Sequence, residues 1–166
     1  MNILSMDPGV AKVGIAITSD TSLVHCEFLT EPIPKPLQFH MRCNNHMQYL
    51  IPLLGNLLVE YEVTHVAWEI VPSFASFRSR DLVIATADVL KVLTFQNSLP
   101  YCAITPQAWH KTLMGSTKDI TKQLVKDKIT SLYPNLKDDF PYDVYDAIGI
   151  NIVARQKNTW IGDKNA

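Results

Sequence analysis

Cysteine is scarce in this 166-residue chain: Cys26, Cys43 and Cys102 lie far apart, and no CxxC pair exists. That argues against a disulfide framework or a structural zinc site and suits a reducing, cytoplasmic compartment. Long hydrophobic runs are also missing. No stretch approaches the ~18 uninterrupted apolar residues of a membrane span. The longest apolar helical candidate, Tyr49 to Val59, is interrupted by Pro52, Gly55 and Asn56. The opening MNILSMDPGV has neither a basic region nor a long apolar core, so no secretory leader is expected. Nor is there an excess of either charge, the net being −1. The basic surplus usual in nucleic-acid-binding proteins is therefore absent. The distribution is uneven, however. Residues 1–77 hold three basic and seven acidic side chains, whereas 78–166 hold twelve and nine. Such a split leaves room for a local positive face.

What is present is a core. Hydrophobic residues make up 47% of the chain against 19% charged, which excludes disorder as the main state. At ~150 residues per domain the length suggests one domain. We assign it to residues 1–157, with 158–166 as a C-terminal tail and fraying expected from Gln156. No repeat or low-complexity tract is visible.

Three strands open the chain. Asn2–Met6 is an apolar run that stops at the turn signal Asp7-Pro8-Gly9, and Val13–Thr18 and Ser22–Leu29 follow at hairpin spacing. They predict an antiparallel meander. Pro32, Pro34 and Pro36 make Thr30–Leu37 an extended connector. A helix is expected from Gln38 to about Glu60, kinked at Pro52. Val63–Val71 reads as a buried strand, Asp81–Asn97 as a helix and Tyr101–Ile104 as a short strand. Helices are expected over Pro106–Leu113, Thr117–Tyr133 (with Ile120, Leu124 and Leu132 inward) and Phe140–Arg155. Three meander strands followed by alternating helices and strands predict an α/β fold with helices covering a mixed sheet.

Four acids stand out. Asp7 ends an apolar strand, and Glu69 interrupts the buried run VAWEIV. A buried carboxylate is costly unless it is paired or holds a metal. Asp143 and Asp146 are three apart at the start of the last helix and so share a side of it. Taken singly, Asp7 could shape a turn and Asp143 could cap a helix. Together, two strand acids and an i, i+3 pair form an oxygen cluster if the strands are neighbours. Hard oxygen ligands select magnesium or manganese. Two such ions ~4 Å apart can clamp a scissile phosphate.

The segment ILSMDPGVAKVGIAI resembles the first strand, acid and turn of the RuvC-type Holliday junction resolvases of the RNase H-like superfamily. HVAWEIV is similar to the strand carrying their second acid. ITPQAWHKTLMGSTKDITKQLVKDKI is similar to their lysine-bearing segment, with Gly115 central, and YDVYDAIGI to their terminal D-x-x-D-A helix start. The pieces occur in the family's order over nearly all of residues 1–157. The resemblance implies an RNase H-like fold with a five-stranded mixed sheet, three antiparallel strands plus two parallel. It also implies that Asp7, Glu69, Asp143 and Asp146 hold two Mg2+ ions, with Mn2+ able to substitute. It further implies a homodimer acting on a four-way DNA junction; no membrane partner and no small-molecule ligand are expected. The family's active-site lysines map onto His110 or Lys111 and onto Lys118 or Lys122. The small size and departures from the bacterial pattern suit a phage or prophage source.

Lys118, Lys122 and Lys126 recur every four residues, as either a solvated helical face or a backbone-contacting stripe. The loop after Glu69 carries Phe74, Phe77, Arg78 and Arg80. Either phenylalanine could stack on an unpaired base or simply pack on the next helix; the arginines suit phosphates. His40 and His46 are six apart, on different helical faces, which argues against a metal pair. Met47, Leu50, Leu54, Leu57 and Leu58 offer more apolar surface than one sheet face needs, so part of that helix is a candidate dimer face. Three other readings compete with a magnesium-dependent, structure-selective DNA endonuclease. One is another RNase H-like nuclease, acting on flaps, other branched DNA or RNA. Another is an ATP-binding protein of the actin and sugar-kinase superfamily, whose two domains exceed this length. The last is a non-catalytic junction-binding module, in which four intact acids would have no use.

Overall fold

The computed structural model describes residues 1–9, 12–30, 39–70, 77–137, 139–157 and 160–163, with side chains for all but 39–43, 77–79 and Leu82. The described residues form five strands and five helices. They are β1 (Asn2–Pro8), β2 (Lys12–Ser19), β3 (Ser22–Thr30), α1 (Phe39–Glu60), β4 (His65–Glu69), α2 (Phe77–Gln96), β5 (Tyr101–Ile104), α3 (Pro106–Met114), α4 (Lys122–Leu132) and α5 (Tyr142–Arg155). The strands form one sheet in the order β3-β2-β1-β4-β5. β1, β2 and β3 pair antiparallel, while β4 joins β1 and β5 joins β4 in parallel. This is the mixed sheet expected from the sequence.

Period-two alternation sorts the strand side chains onto two faces. Leu4, Met6, Val66 and Trp68 pack with Leu50, Leu54, Leu57, Val89 and Leu90 of α1 and α2. Ile3, Ala67 and Ile104 pack with Trp109 of α3, Val125 and Ile129 of α4, and most of α5. By the same alternation Asp7 and Glu69 point to the α5 face.

α5 is buried nearly all round, so apolar contact alone leaves its position along the sheet free. Polar ties set it. Ser5 Oγ donates to the Ala147 carbonyl at 2.8 Å. Asn151 Nδ2 donates to the Ile3 carbonyl at 2.9 Å, and its Oδ1 accepts from the Thr18 hydroxyl at 2.6 Å. The N-terminal turn of α5 lies directly on β2, because a Cβ at Gly14 would stand 1.9 Å from the Asp143 carbonyl oxygen.

Several boundaries differ from expectation. α4 begins at Lys122, not Thr117. Gly115 and Asp119 have positive φ, which stops a helix from forming earlier, and the Thr121 hydroxyl caps the Leu124 N–H. Lys118 thus lies in the preceding loop, and only Lys122 and Lys126 of the lysine stripe share the helix. The inward residues of α4 are Val125 and Ile129; Leu124 and Leu132 are exposed, while Ile120 packs on the core from the loop. α2 starts four residues earlier than expected, since no proline or glycine stands between Phe77 and Asp81. Phe77, Arg78 and Arg80, read as loop residues, therefore belong to its first turn. α1 is one helix that includes Pro52. Trp160–Asp163 is not frayed. Trp160 is buried against the His65 ring, and Ile161 exchanges two backbone hydrogen bonds with Tyr101, covering the β5 edge. The connector 31–38 lies outside the described residues.

Two glycines should respond in opposite directions. Gly14→Ala forces the α5 backbone away and is expected to cost at least ~3 kcal/mol in denaturant unfolding. Gly55→Ala, in mid-helix with no atom within 4 Å of the new methyl, should stabilise by up to ~1 kcal/mol.

Candidate active site

The parallel pairing of β1 with β4, in register at Met6 and Trp68, brings Asp7 and Glu69 to the same end of adjacent strands. In open α/β sheets that carboxyl end is where ligands bind. Gly14 pairs with Asp7 across the hairpin, and its missing side chain lets the α5 N-terminus settle above them. Asp143, in the first helical turn, and Asp146, one turn on, then face the strand acids. All four line one cleft of about 320 Å³, walled by Trp109 and His110 of α3 and by Thr121 and Lys122 at the start of α4.

The electrostatics are those of a crowded anion cluster. Asp7 is held well above the usual carboxylate range, first by burial and then by the charges of Glu69, Asp146 and Asp143. Burial likewise pushes Asp146 up to about 7; Lys122 opposes this, while Glu69 and Asp143 add to it. Glu69 is raised by burial, against a hydrogen bond from Trp109 and the charge of Lys122. Among the cleft's side chains Lys122 provides the compensating charge, its Nζ lying 3.8 Å from Asp143 Oδ1 and 3.9 Å from Asp146 Oδ2. One largely exposed lysine does not neutralise four acids. An all-oxygen donor set with this deficit of positive charge fits a hard divalent cation. Although the four acids share the cleft, no three Asp, Glu, His or Cys side chains among the described residues stand close enough together, as placed, to hold a metal ion.

Of the cationic candidates, the fold brings His110 and Lys122 into the cleft. Burial lowers the His110 pKa, favouring its neutral form. Lys111 and Lys118 are exposed and do not line the cleft. Lys126, one turn beyond Lys122, lies over the Tyr145 ring at 5.5 Å, as Lys122 does over Tyr142 at 6.0 Å. Phe74 lies outside the described residues; Phe77 and Arg78 start α2, where their side chains are undescribed, and Arg80 is half-buried there.

Trp109 was not singled out by sequence reasoning. Its indole Nε1 donates to Glu69 Oε2 at 2.6 Å, and the ring packs where any side chain at Gly149 would go. The signal available was Thr105-Pro106. Thr105 caps α3 directly after β5, so residue 109 falls one turn in, beside β4.

The RuvC family, described as crossover junction endodeoxyribonuclease RuvC, matches residues 3–154. This chain belongs to the RuvC family. No curated protein matches it in sequence. Among solved structures, Thermus thermophilus RuvC is 17% identical with a TM-score of 0.72, over 92% of each chain. The yeast mitochondrial Holliday junction resolvase is 14% identical with a TM-score of 0.60, over 92% of this chain and 75% of that one. The fowlpox virus resolvase, solved with Holliday junction DNA, is 18% identical with a TM-score of 0.52, over 90% and 95%. At these identities the likeness establishes the RNase H-like fold of RuvC. Family membership makes the chain an endonuclease of the divalent-metal-dependent kind.

The raised acids make folding pH-dependent. Asp146 binds its proton more readily folded than unfolded, so its contribution is complete below pH ~4 and is lost as pH rises through about 7. Asp146→Asn should therefore gain stability over wild type as pH rises from 5 to 8, by on the order of 3 kcal/mol in denaturant unfolding. Trp109→Phe keeps an aromatic ring but removes the donor. It should slow cleavage by about tenfold or more, measured at saturating junction.

Proposed function

We propose that this junction-resolving nuclease uses Asp7, Glu69, Asp143 and Asp146 to hold two Mg2+ ions, which Mn2+ can replace. The observation that carries the reading is the convergence of four mutually repelling carboxylates, from β1, β4 and α5, on one cleft. When bound, the ions would activate a water for attack on the scissile phosphodiester and stabilise the leaving oxygen. The chain's own residues do the placing. Asp7 and Asp146 flank the reaction centre from sheet and helix, Glu69 is oriented by the Trp109 indole, and Asp143 completes the donor set. Lys122, largely exposed at the cleft's edge, is placed to reach a DNA phosphate from beside the acids. The expected products carry a 5′-phosphate and a 3′-hydroxyl.

The substrate is a four-way DNA junction, and the working unit is a homodimer that nicks two strands symmetrically. Lys111, Lys118 and Lys126 contact the DNA backbone beyond the cleft. Phe74 or Phe77, with Arg78 and Arg80, approach the junction centre. Residues 1–157 form the nuclease domain and 158–166 its C-terminal extension. No described helix is long and apolar enough to cross a membrane.

Asp7→Asn and Asp146→Asn should each reduce cleavage by more than ~100-fold while junction binding persists. The substrates to compare are a mobile four-way junction, a linear duplex and an RNA–DNA hybrid, each with Mg2+ or EDTA. Paired symmetric nicks in the junction alone are expected, and equal cutting of duplex or hybrid would remove the junction preference. Mg2+ should also raise the melting temperature more at pH 8 than at pH 5.5, since protonated carboxyls do not bind it.

A further inference from the structure

Two polar side chains sit where an apolar pair would pack as well. His46 of α1 and Thr86 of α2 are 1% and 0% exposed, in an interface otherwise built from Leu50, Leu54, Val89 and Leu90. Burying such groups costs stability unless each is hydrogen-bonded. His46 Nε2 lies 2.7 Å from Thr86 Oγ1, and Thr86 Oγ1 donates to the Gly9 carbonyl at 3.3 Å. Gly9 is two residues past Asp7, at the β1–β2 turn.

A hydroxyl has one proton, and a carbonyl can only accept. In the tautomer that carries its hydrogen on Nε2, His46 donates to Thr86 Oγ1 and leaves the Thr86 proton for the Gly9 carbonyl.

A Cβ at Gly9 would stand 2.2 Å from the Lys12 carbonyl oxygen, so position 9 admits only glycine, whose own backbone is permissive. Asp7, just before the turn, is pushed by the charges of Glu69, Asp143 and Asp146. On the α5 face the hairpin is gripped at Gly14 by the Asp143 backbone. On the opposite face the grip is the Thr86 hydrogen bond.

We propose that Thr86 and His46 are positioning residues of the nuclease site. They hold the Gly9 carbonyl, and through it the end of β1, so that Asp7 meets the divalent cation against the repulsion of the other acids. This rests on the reading of Asp7 as a metal-holding carboxylate.

The test uses Thr86→Val, which keeps shape and loses the donor, and Thr86→Ser, which keeps the hydroxyl. Mn2+ binding without DNA is measured by calorimetry, junction binding by gel shift in EDTA, and cleavage under single-turnover conditions. For Thr86→Val, Mn2+ affinity and cleavage rate should both fall by about 10- to 100-fold. Junction affinity should stay unchanged, and Thr86→Ser should be close to wild type. A folded Thr86→Val with wild-type Mn2+ affinity and rate, even at a lower melting temperature, makes the contact merely structural and overturns the proposal. So does a Thr86→Ser as impaired as the valine variant. Should Thr86→Val not fold, His46→Met against His46→Gln, which retains an amide donor, decides by the same readouts. A His46→Met that behaves as wild type overturns the proposal. Asp7→Asn separates the two levels. If it keeps wild-type Mn2+ binding, the underlying reading of Asp7 fails; if it loses that binding while Thr86→Val does not, only the relay fails.

Discussion

The contact on which the site depends is the seating of α5 on β1 and β2. Most of that helix is apolar, and apolar burial has no direction, so it would be satisfied by many positions along the sheet. Gly14 admits the helix's first turn to within backbone distance, and Ser5 and Asn151 accept only one alignment. Buried polar groups act here as register marks, because a shift by one turn would leave each unpartnered at a cost of about 1–3 kcal/mol. Asp143 and Asp146 reach the strand acids only because that register holds.

The same seating creates strain of an electrostatic kind. Three of the four acids have pKa values raised by burial, with one lysine close enough to offset them. For stability alone the cluster is a poor arrangement, and it is sustained by the packing around it. Trp109 shows how closely packing and chemistry are joined. One side chain fills the space over Gly149 and also supplies the hydrogen bond that orients Glu69. An acid cluster with so little internal pairing is consistent with the proposed cation site.

Much of the fold was legible along the chain. The meander, a mixed sheet covered by helices and the long helices follow from period-two and helical patterns together with turn residues, whereas the parallel pairing of two strands was implied by the family resemblance. The misplaced boundaries have identifiable causes. The backbone at Gly115 and Asp119 turns left-handed, which periodicity cannot register, so α4 was started too early and Lys118 was drawn into it. α2 began early for the opposite reason, since nothing in Phe77–Arg80 stops a helix. The segment Trp160–Asp163 looked like a tail because its order comes from the β5 edge and His65, both distant in sequence.

By itself the sequence determined which acids are unusual and which face each occupies. Alternation places Asp7 and Glu69 on one side of their strands, and three-residue spacing places Asp143 and Asp146 on one side of a helix. The four ordered motifs carried the family resemblance. Only the tertiary structure decided that Lys122, rather than Lys118 or Lys111, stands over the acids, that Trp109 orients Glu69, and that Thr86 reaches the Gly9 carbonyl. The physical reason is that local periodicity sets the direction of a side chain within its own element. The offset between elements is set by long-range close approach and buried hydrogen bonds, which no short window of sequence contains.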